Sequence, residues 1–456
     1  MPTGQDLAVL THYLHNRSYP SAASYQEEAE ACMAHIHQAG IPAEGMLAES
    51  VPHYNLFSQF FSAPLQARKE SHFTFIDLFA GIGGFRTAMQ NLGGRCVFSA
   101  EWDTQAQNTY LQNYGEMPFG DITLQETKAY IPQDFDILCA GFPCQAFSKA
   151  GKQGGLNDTR GTLFFEVEEI LRTRRPKYIF LENVRNLVSH DEGNTWRIIN
   201  ENLHALGYRL TEKPIILSPH QFGVPQFRER VYILGVYDPE HVDAPLHFDT
   251  GPGLGKDDNT IEGILEQGPV DSRYHISPEE ERVLNAWDEF YQGIQEKTIG
   301  FPVWATWFKQ EGDLADFPAW KQGFIRKNRE LYAANRPFLD QWLKKWNNLE
   351  DFTPTQKKFE WQAGDSIQSL WEGVIQFRPS GIRVKKPNFF PALVAIVQTP
   401  IVGRLRRRLT VRECARLQSF PDTFIPNPKE QSALKQLGNS VNVNIIEFLT
   451  RQLLLL

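Results

Sequence analysis

Between residues 73 and 237, short β-rich runs alternate with longer amphipathic segments, and this rhythm constrains the fold more than any other feature of the chain. The runs 73–79, 95–100, 135–140, 178–182 and 231–236 are apolar at most positions, as strands buried on both faces are. Such alternation predicts an α/β fold built on a doubly wound, mostly parallel sheet of Rossmann-like type. Its ligand crevice is then expected at the carboxyl ends of the strands.

The rest of the chain divides around that core. Residues 1–70 predict short helices, one over 26–38 ended by Gly40 and Pro42, and read as a helical extension accessory to the main domain. Residues 71–240 supply the first part of the main domain. From 241 to 425 the rhythm is lost: Gly251-Pro252-Gly253 marks the junction, aromatic-rich irregular stretches follow, and a smaller inserted recognition domain is expected. Residues 426–456 return to the main domain. Helices are predicted over 411–418 and 443–456, the second with an apolar face that needs a partner.

Net charge is −8, which argues against nucleic acid only until its distribution is considered. Segment 321–408 holds 17 Lys and Arg against 7 Asp and Glu, leaving 29 against 47 elsewhere. Trp342, Trp346, Trp361 and Trp371 lie within it, so basic and aromatic groups interleave as on a surface that tracks a phosphate backbone, or else form a solvated face over core tryptophans. Five cysteines, none in a CxxC pair, predict free thiols in a reducing compartment and no metal site. No apolar run is long enough to span a bilayer and no basic-then-apolar leader follows Met1, so a cytoplasmic protein without membrane contact is expected.

Candidate chemistry gathers at the predicted strand ends. After the first strand comes Asp77-Leu78-Phe79-Ala80-Gly81-Ile82-Gly83-Gly84-Phe85, a glycine-rich turn in which Arg86 takes the third-glycine position of GxGxxG. That departure disfavours a pyrophosphate cofactor. Glu101 follows Gly83 by 18 residues, close to the offset at which a carboxylate accepts from ribose hydroxyls, with Trp102 and Phe79 available to sandwich an adenine. A nucleoside cofactor lacking pyrophosphate is most simply S-adenosylmethionine. Gly141-Phe142-Pro143-Cys144-Gln145 lifts one cysteine off the end of run 135–140, making Cys144 a candidate nucleophile. Glu182 ends run 178–182 at the same edge, and Arg228 and Arg230 share one face if extended, suited to an anionic or carbonyl-bearing substrate.

Together these residues resemble the cytosine-C5 DNA methyltransferase family of bacterial restriction-modification type. Segments 75–85, 141–148, 160–165, 182–184, 226–230, 412–417 and 436–441 are similar to its ordered motifs, in its order. The resemblance covers 73–237 and 404–456 and is weak between them. It implies a sequence-specific methyltransferase in which the Cys144 thiolate adds to C6 of a flipped-out cytosine, C5 takes the methyl group of S-adenosylmethionine, and elimination frees the enzyme. Glu182 would serve N3 of the ring, Arg230 its O2, and Arg228 the site around them. The donor would contact Phe79, Gly81, Ile82, Gly83, Gly84, Glu101, Trp102, Asp121, Ile122, Pro143, Leu163, Asn439 and Ser440.

The same resemblance implies double-stranded DNA as substrate, a monomeric enzyme, and a cognate restriction endonuclease as partner unless the enzyme is solitary. Residues 145–155 are similar to the family's mobile catalytic loop, and Gln145, Ser148 and Lys149 become candidate DNA contacts. Arg378, Ser380, Arg383, Lys385, Lys386 and Arg404 join them, with Arg406, Arg407 and Arg408 marking the return to the catalytic domain, mainly as phosphate contacts. Two alternatives stay open: a tRNA cytosine-C5 methyltransferase, and a non-catalytic DNA-binding regulator on the same scaffold.

Overall fold

The computed structural model describes residues 3–38, 62–66, 70–143, 163–295, 297, 299–393 and 399–456. Gly40, Pro42 and 144–162 lie outside them. The chain forms two units, one spanning Met1–Val224, Arg228–Leu254 and Ala415–Leu456, the other Pro225–Phe227 and Gly255–Cys414. Among the described residues no helix is long and apolar enough to cross a membrane.

The first unit is built on β1 (Phe73–Leu78), β2 (Gly94–Ala100), β3 (Ile137–Ala140), β4 (Tyr178–Val184), β5 (Tyr208–Leu210), β6 (Ile215–Leu217) and, beyond the short β7 (Gln226–Phe227) of the other unit, β8 (Arg230–Tyr237). The order is β2-β1-β3-β4-β8-β5, with β6 also on β8. β1 through β4 pair in parallel, whereas β8 runs antiparallel to β4 along its whole length. The run 231–236 therefore enters the sheet in the opposite direction to its neighbours. The long connection 185–229, which includes helix Asn194–Ala205, carries β5 and β6, brief strands without a long apolar run to announce them.

The topology places the site. From β1 the chain winds outward to β2, then returns to the other flank of β1 as β3, so the order reverses between β1 and β3. A crevice opens at such a switch point, and the segments leaving β1 and β3 there are Gly81–Gly84 and Gly141–Pro143.

The N-terminal segment is part of this unit's core, not an accessory to it. α1 (Gly4–Asn16) starts at a capping box between Thr3 and Asp6, and α2 is Gln26–Gln38. Ala8, Val9, Tyr25 and Ala29 pack into one cluster with Val97 and Phe98 of β2. At the other end, helix Val443–Leu453 buries Val443, Ile445, Ile446, Leu449 and Leu453. Its partner is helix Gly84–Asn91: Asn91 donates to Glu447 at 2.6 Å, and Thr450 Oγ1 lies 3.7 Å from the Met89 sulfur.

In the second unit, helices Pro278–Gly293, Ala319–Ala334 and Arg336–Lys345 accompany a six-stranded sheet that includes Lys358–Gln362, Val374–Arg378 and Gly381–Lys385. Trp287 stacks on Phe359 at 4.9 Å and meets Trp342 at 5.6 Å. Trp342 and Trp361 are buried, their indole N–H groups donating to the Ala286 and Gly364 carbonyls at 2.8 and 2.7 Å. Trp342 and Trp361 thus belong to the core, whereas half-buried Trp346 and Trp371 have Lys345 Nζ 5.5 Å and the Arg406 guanidinium 4.1 Å from their ring centres. β7 joins this unit because Gln226 and Phe227 pair in parallel with Phe390 and Pro391.

Candidate functional site

The turn after β1 is shaped by what surrounds it. Gly81 and Gly83 have φ of +57° and +81°, in the left-handed region that glycine enters freely. A Cβ on Gly83 would lie 2.3 Å from the Tyr114 ring, and one on Gly84 would lie 2.7 Å from Val441 Cγ2 and 2.8 Å from Ser440 Oγ. The glycines thus admit Tyr114 on one side and the C-terminal segment on the other. Arg86 turns into the interior: Nε donates to Gln90 at 2.6 Å, Nη1 to Tyr110 at 3.2 Å, and the guanidinium pairs with buried Glu116. Packing of this helix onto the sheet thus accommodates an ion pair at the position where a dinucleotide site uses a third glycine.

Glu101 ties β2 to that turn. Its Oε2 accepts from Gly81 N and its Oε1 from Asp103 N, both at 2.8 Å. Burial pushes its carboxyl above the ordinary range, against the pull of those amides. The Trp102 amide adds to that pull, and the carboxyl's roughly four acceptor sites still leave room for a hydroxyl donor. Beside it Trp102 is 77% exposed, an uncovered aromatic face adjoining a buried carboxylate. Phe119 pairs with Ala100 and exchanges backbone bonds with Ser99 and Glu101, which brings Asp121 and buried Ile122 to the same edge. Half-buried Phe79, buried Ile82, exposed Pro143 and half-buried Leu163 lie on the loops and helix start after β1 and β3. An exposed aromatic ring, a buried carboxylate with room for a hydroxyl donor and an open glycine turn fit a nucleoside.

Glu182 and the two arginines meet at the other side of the crevice. The antiparallel register sets Glu182 opposite Tyr232 and Val184 opposite Arg230. Arg230 Nε stands 3.2 Å from Glu182 Oε1. Burial raises the Glu182 carboxyl, opposed by Arg230 and Arg228. Arg228 is buried and brought down to about 9, first by desolvation and then by neighbouring Arg230. Its Nη2 donates to Ser440 O at 2.8 Å, which joins this pair to the C-terminal segment. Asn439 is exposed and Ser440 buried.

Gly141 opens the loop that leads to the cysteine. A Cβ there would lie 3.7 Å from Glu182 Oε2 and 3.8 Å from Val441. Asn183 Nδ2 donates to Phe142 O at 2.9 Å, holding the loop start against β4. This role of Asn183 was visible in sequence only as a polar residue after Glu182. Cys144, Gln145, Ser148 and Lys149 lie outside the described residues.

Within the second unit most of the expected phosphate contacts have partners. Arg383 pairs with Glu360 at 2.7 Å, Lys386 with Asp257 at 3.5 Å, and Arg404 with Glu262. Arg406 and Arg408 pair with Glu281 and Glu280. Lys385 is half-buried, brought down by desolvation, with Nζ 5.4 Å from the Phe389 ring centre. Arg378 is half-buried and Ser380 exposed at the turn between two strands. Arg407 is not on the surface: it is buried with Glu413 at 2.7 Å, because that carboxylate needs a charge partner inside the unit.

A sequence model described as C-5 cytosine-specific DNA methylase matches residues 73–454. The chain belongs to that family. Among curated proteins it is similar to Type II methyltransferase M.HpaII of Haemophilus parainfluenzae, 40% identical over 416 residues, which are 90% of this chain and 96% of that protein. It is also similar to Type II methyltransferase M.AluI of Cellulosimicrobium cellulans, 32% identical over 483 residues, covering 85% of this chain and 92% of that one. Among solved structures, the Dnmt2 methyltransferase of S. pombe has a TM-score of 0.46 at 21% identity, covering 84% of this chain and 98% of that one. The protein is a DNA cytosine-C5 methyltransferase, and the family disfavours both the tRNA and the non-catalytic readings.

Proposed function

We propose that Cys144 is the nucleophile of this methyltransferase and S-adenosylmethionine its methyl donor, acting on one cytosine within a specific duplex sequence. C5 of cytosine is a weak carbon nucleophile until a thiolate adds to C6. Cys144 Sγ forms that bond, and the electron pair displaced from the C5–C6 bond makes C5 nucleophilic. Glu182 acts at N3, where its carboxyl, raised by burial, donates to the developing charge in its protonated form, while Arg230 holds O2. Arg228 orients the pair from beneath through its bond to Ser440 O. Glu101, Trp102 and the Gly81–Gly84 turn would hold S-adenosylmethionine, whose methyl group C5 would take as the sulfonium S–CH3 bond breaks and S-adenosylhomocysteine leaves. A base, water in the simplest case, removes the C5 proton, and the Cys144–C6 bond breaks to regenerate the thiolate.

The observation that carries this reading is the pair of buried Glu182 with half-buried Arg230 beside Gly141, three residues before Cys144. A stacked duplex hides C6 from any side chain, so the base leaves the helix at a cost of a few kcal/mol, offset by contacts to the backbone. The similarity to Type II methyltransferases supports a cognate endonuclease as genomic partner. The deciding experiment transfers labelled methyl groups to plasmid DNA from an unmethylated host and maps them by bisulfite sequencing. Label at C5 of one recurrent site, lost in Cys144→Ser, is expected; undiminished transfer by Cys144→Ser overturns the mechanism.

A further inference from the structure

β2 is the edge strand of its sheet, and the backbone groups on its outer side need partners from outside the ladder. Ser99 O accepts from Phe119 N at 2.8 Å. Two further partners come from the N-terminal helical segment. Tyr25 Oη donates to Val97 O, and His12 Nε2 accepts from Ser99 N at 3.1 Å.

The His12 tautomer follows from its other nitrogen. Nδ1 lies 2.8 Å from Ala8 O, which can only accept, so Nδ1 carries the proton and Nε2 turns its lone pair to the Ser99 N–H. The ring is wholly buried, 4.8 Å from the Phe119 ring centre. Burial pulls its basicity down, in keeping with a neutral ring. On the same helix, Thr11 Oγ1 accepts from Met117 N at 3.0 Å.

A second line of contacts runs from the same helix to the glycine turn. The His12 and His15 rings lie 3.3 and 3.4 Å from Glu116, whose main partner is Arg86. The Arg86 guanidinium sits 5.2 Å over the Tyr114 ring, and Tyr114 Oη donates to Gly83 O at 2.7 Å. Ser99 stands two residues before Glu101, so α1 reaches both halves of the donor site, and Gly81 N to Glu101 Oε2 is the bond where they join.

We infer that His12 and Tyr25 are positioning residues for the methyl-donor site, holding the edge of β2 so that Glu101 meets the Gly81–Gly84 turn at the correct spacing. This rests on reading Glu101 and that turn as the donor site. The test is calorimetric titration of the full chain with S-adenosylhomocysteine, beside the donor KM and kcat. His12→Leu is expected to weaken binding about tenfold and raise the donor KM by the same factor, with kcat at saturating donor within about twofold. His12→Gln, whose amide oxygen can accept from Ser99 N, is expected to restore binding to within about threefold.

Wild-type affinity in folded His12→Leu overturns the inference, as does equal impairment of His12→Leu and His12→Gln with Tyr25→Phe unaffected. Should His12→Leu fail to fold, Tyr25→Phe carries the test: about a threefold loss supports the inference and no loss overturns it. Failure of the donor-site reading is distinguishable. There the wild type does not bind S-adenosylhomocysteine, or Glu101→Ala binds it equally well, and the inference falls with it.

Discussion

The two units handle charge in opposite ways. In the first, the charges of interest are mostly buried: Arg86 with Glu116, and Glu182 with buried Arg228 and half-buried Arg230. In the second, five cations of segment 321–408 form one-to-one pairs with carboxylates far from it in sequence. Lys386, Arg404, Arg408, Arg406 and Lys345 pair with Asp257, Glu262, Glu280, Glu281 and Glu289. A count of charge along the chain therefore overstates the free charge in space, because these five neutralising acids fall outside the window counted. Buried pairs define chemistry. Exposed pairs, worth about 0–1 kcal/mol each, can exchange a carboxylate for a phosphate at little cost.

The sharpest test of the buried side is the nucleophile. Cys144→Ser is expected to lower methyl transfer to DNA by at least about a thousandfold, since a hydroxyl at neutral pH is a far weaker nucleophile than a thiolate; incorporation of labelled methyl groups measures it. Glu182→Gln comes next, with a loss of roughly 10²–10³ in kcat at unchanged affinity for S-adenosylhomocysteine. Its pH profile carries more information than its rate. Burial raises the Glu182 carboxyl, so the protonated donor is present below the raised value and is lost as pH climbs through it. The wild-type rate is expected to fall on that alkaline limb, and the limb to vanish in Glu182→Gln. A limb that persists in the variant assigns the titration to another group.

Legibility in the sequence followed the same divide. β1 to β4 were readable because a strand buried on both faces must be apolar along its length, and the turn after β1 because glycines with positive φ have few substitutes. The direction of β8 was not readable: an apolar run looks alike whichever way it enters a sheet. β5 and β6, at three residues each, are too short for periodicity to register. His12 and Tyr25 escaped notice because their work is done by polar tips on unpaired groups of an edge strand, which no local pattern encodes. Helix Pro278–Gly293 had a signal that was passed over, the capping box of Ser277 with Glu280 and a proline at its first position. Core tryptophans and surface tryptophans among lysines look the same until Trp342 is seen under Trp287.

Two arginines of the second unit, three residues apart, turn the comparison into a measurement. Arg407 is buried against Glu413, which also accepts from Thr410 N at 2.9 Å and Glu266 N at 2.8 Å. Arg407→Ala leaves a buried carboxylate without its cation and is expected to cost about 3–5 kcal/mol of stability, read by denaturant unfolding. Arg404 pairs with Glu262 with both side chains about half exposed. Its removal is expected to leave unfolding unchanged, weaken duplex binding only a few-fold, and reduce the slope of log affinity against log salt by about one. The salt slope is the informative quantity, since a structural arginine and a phosphate-binding arginine can weaken binding equally but only the second releases a counterion. An unchanged slope in Arg404→Ala would mean that its pair with Glu262 persists on DNA, and that the exposed pairs are as fixed as the buried ones.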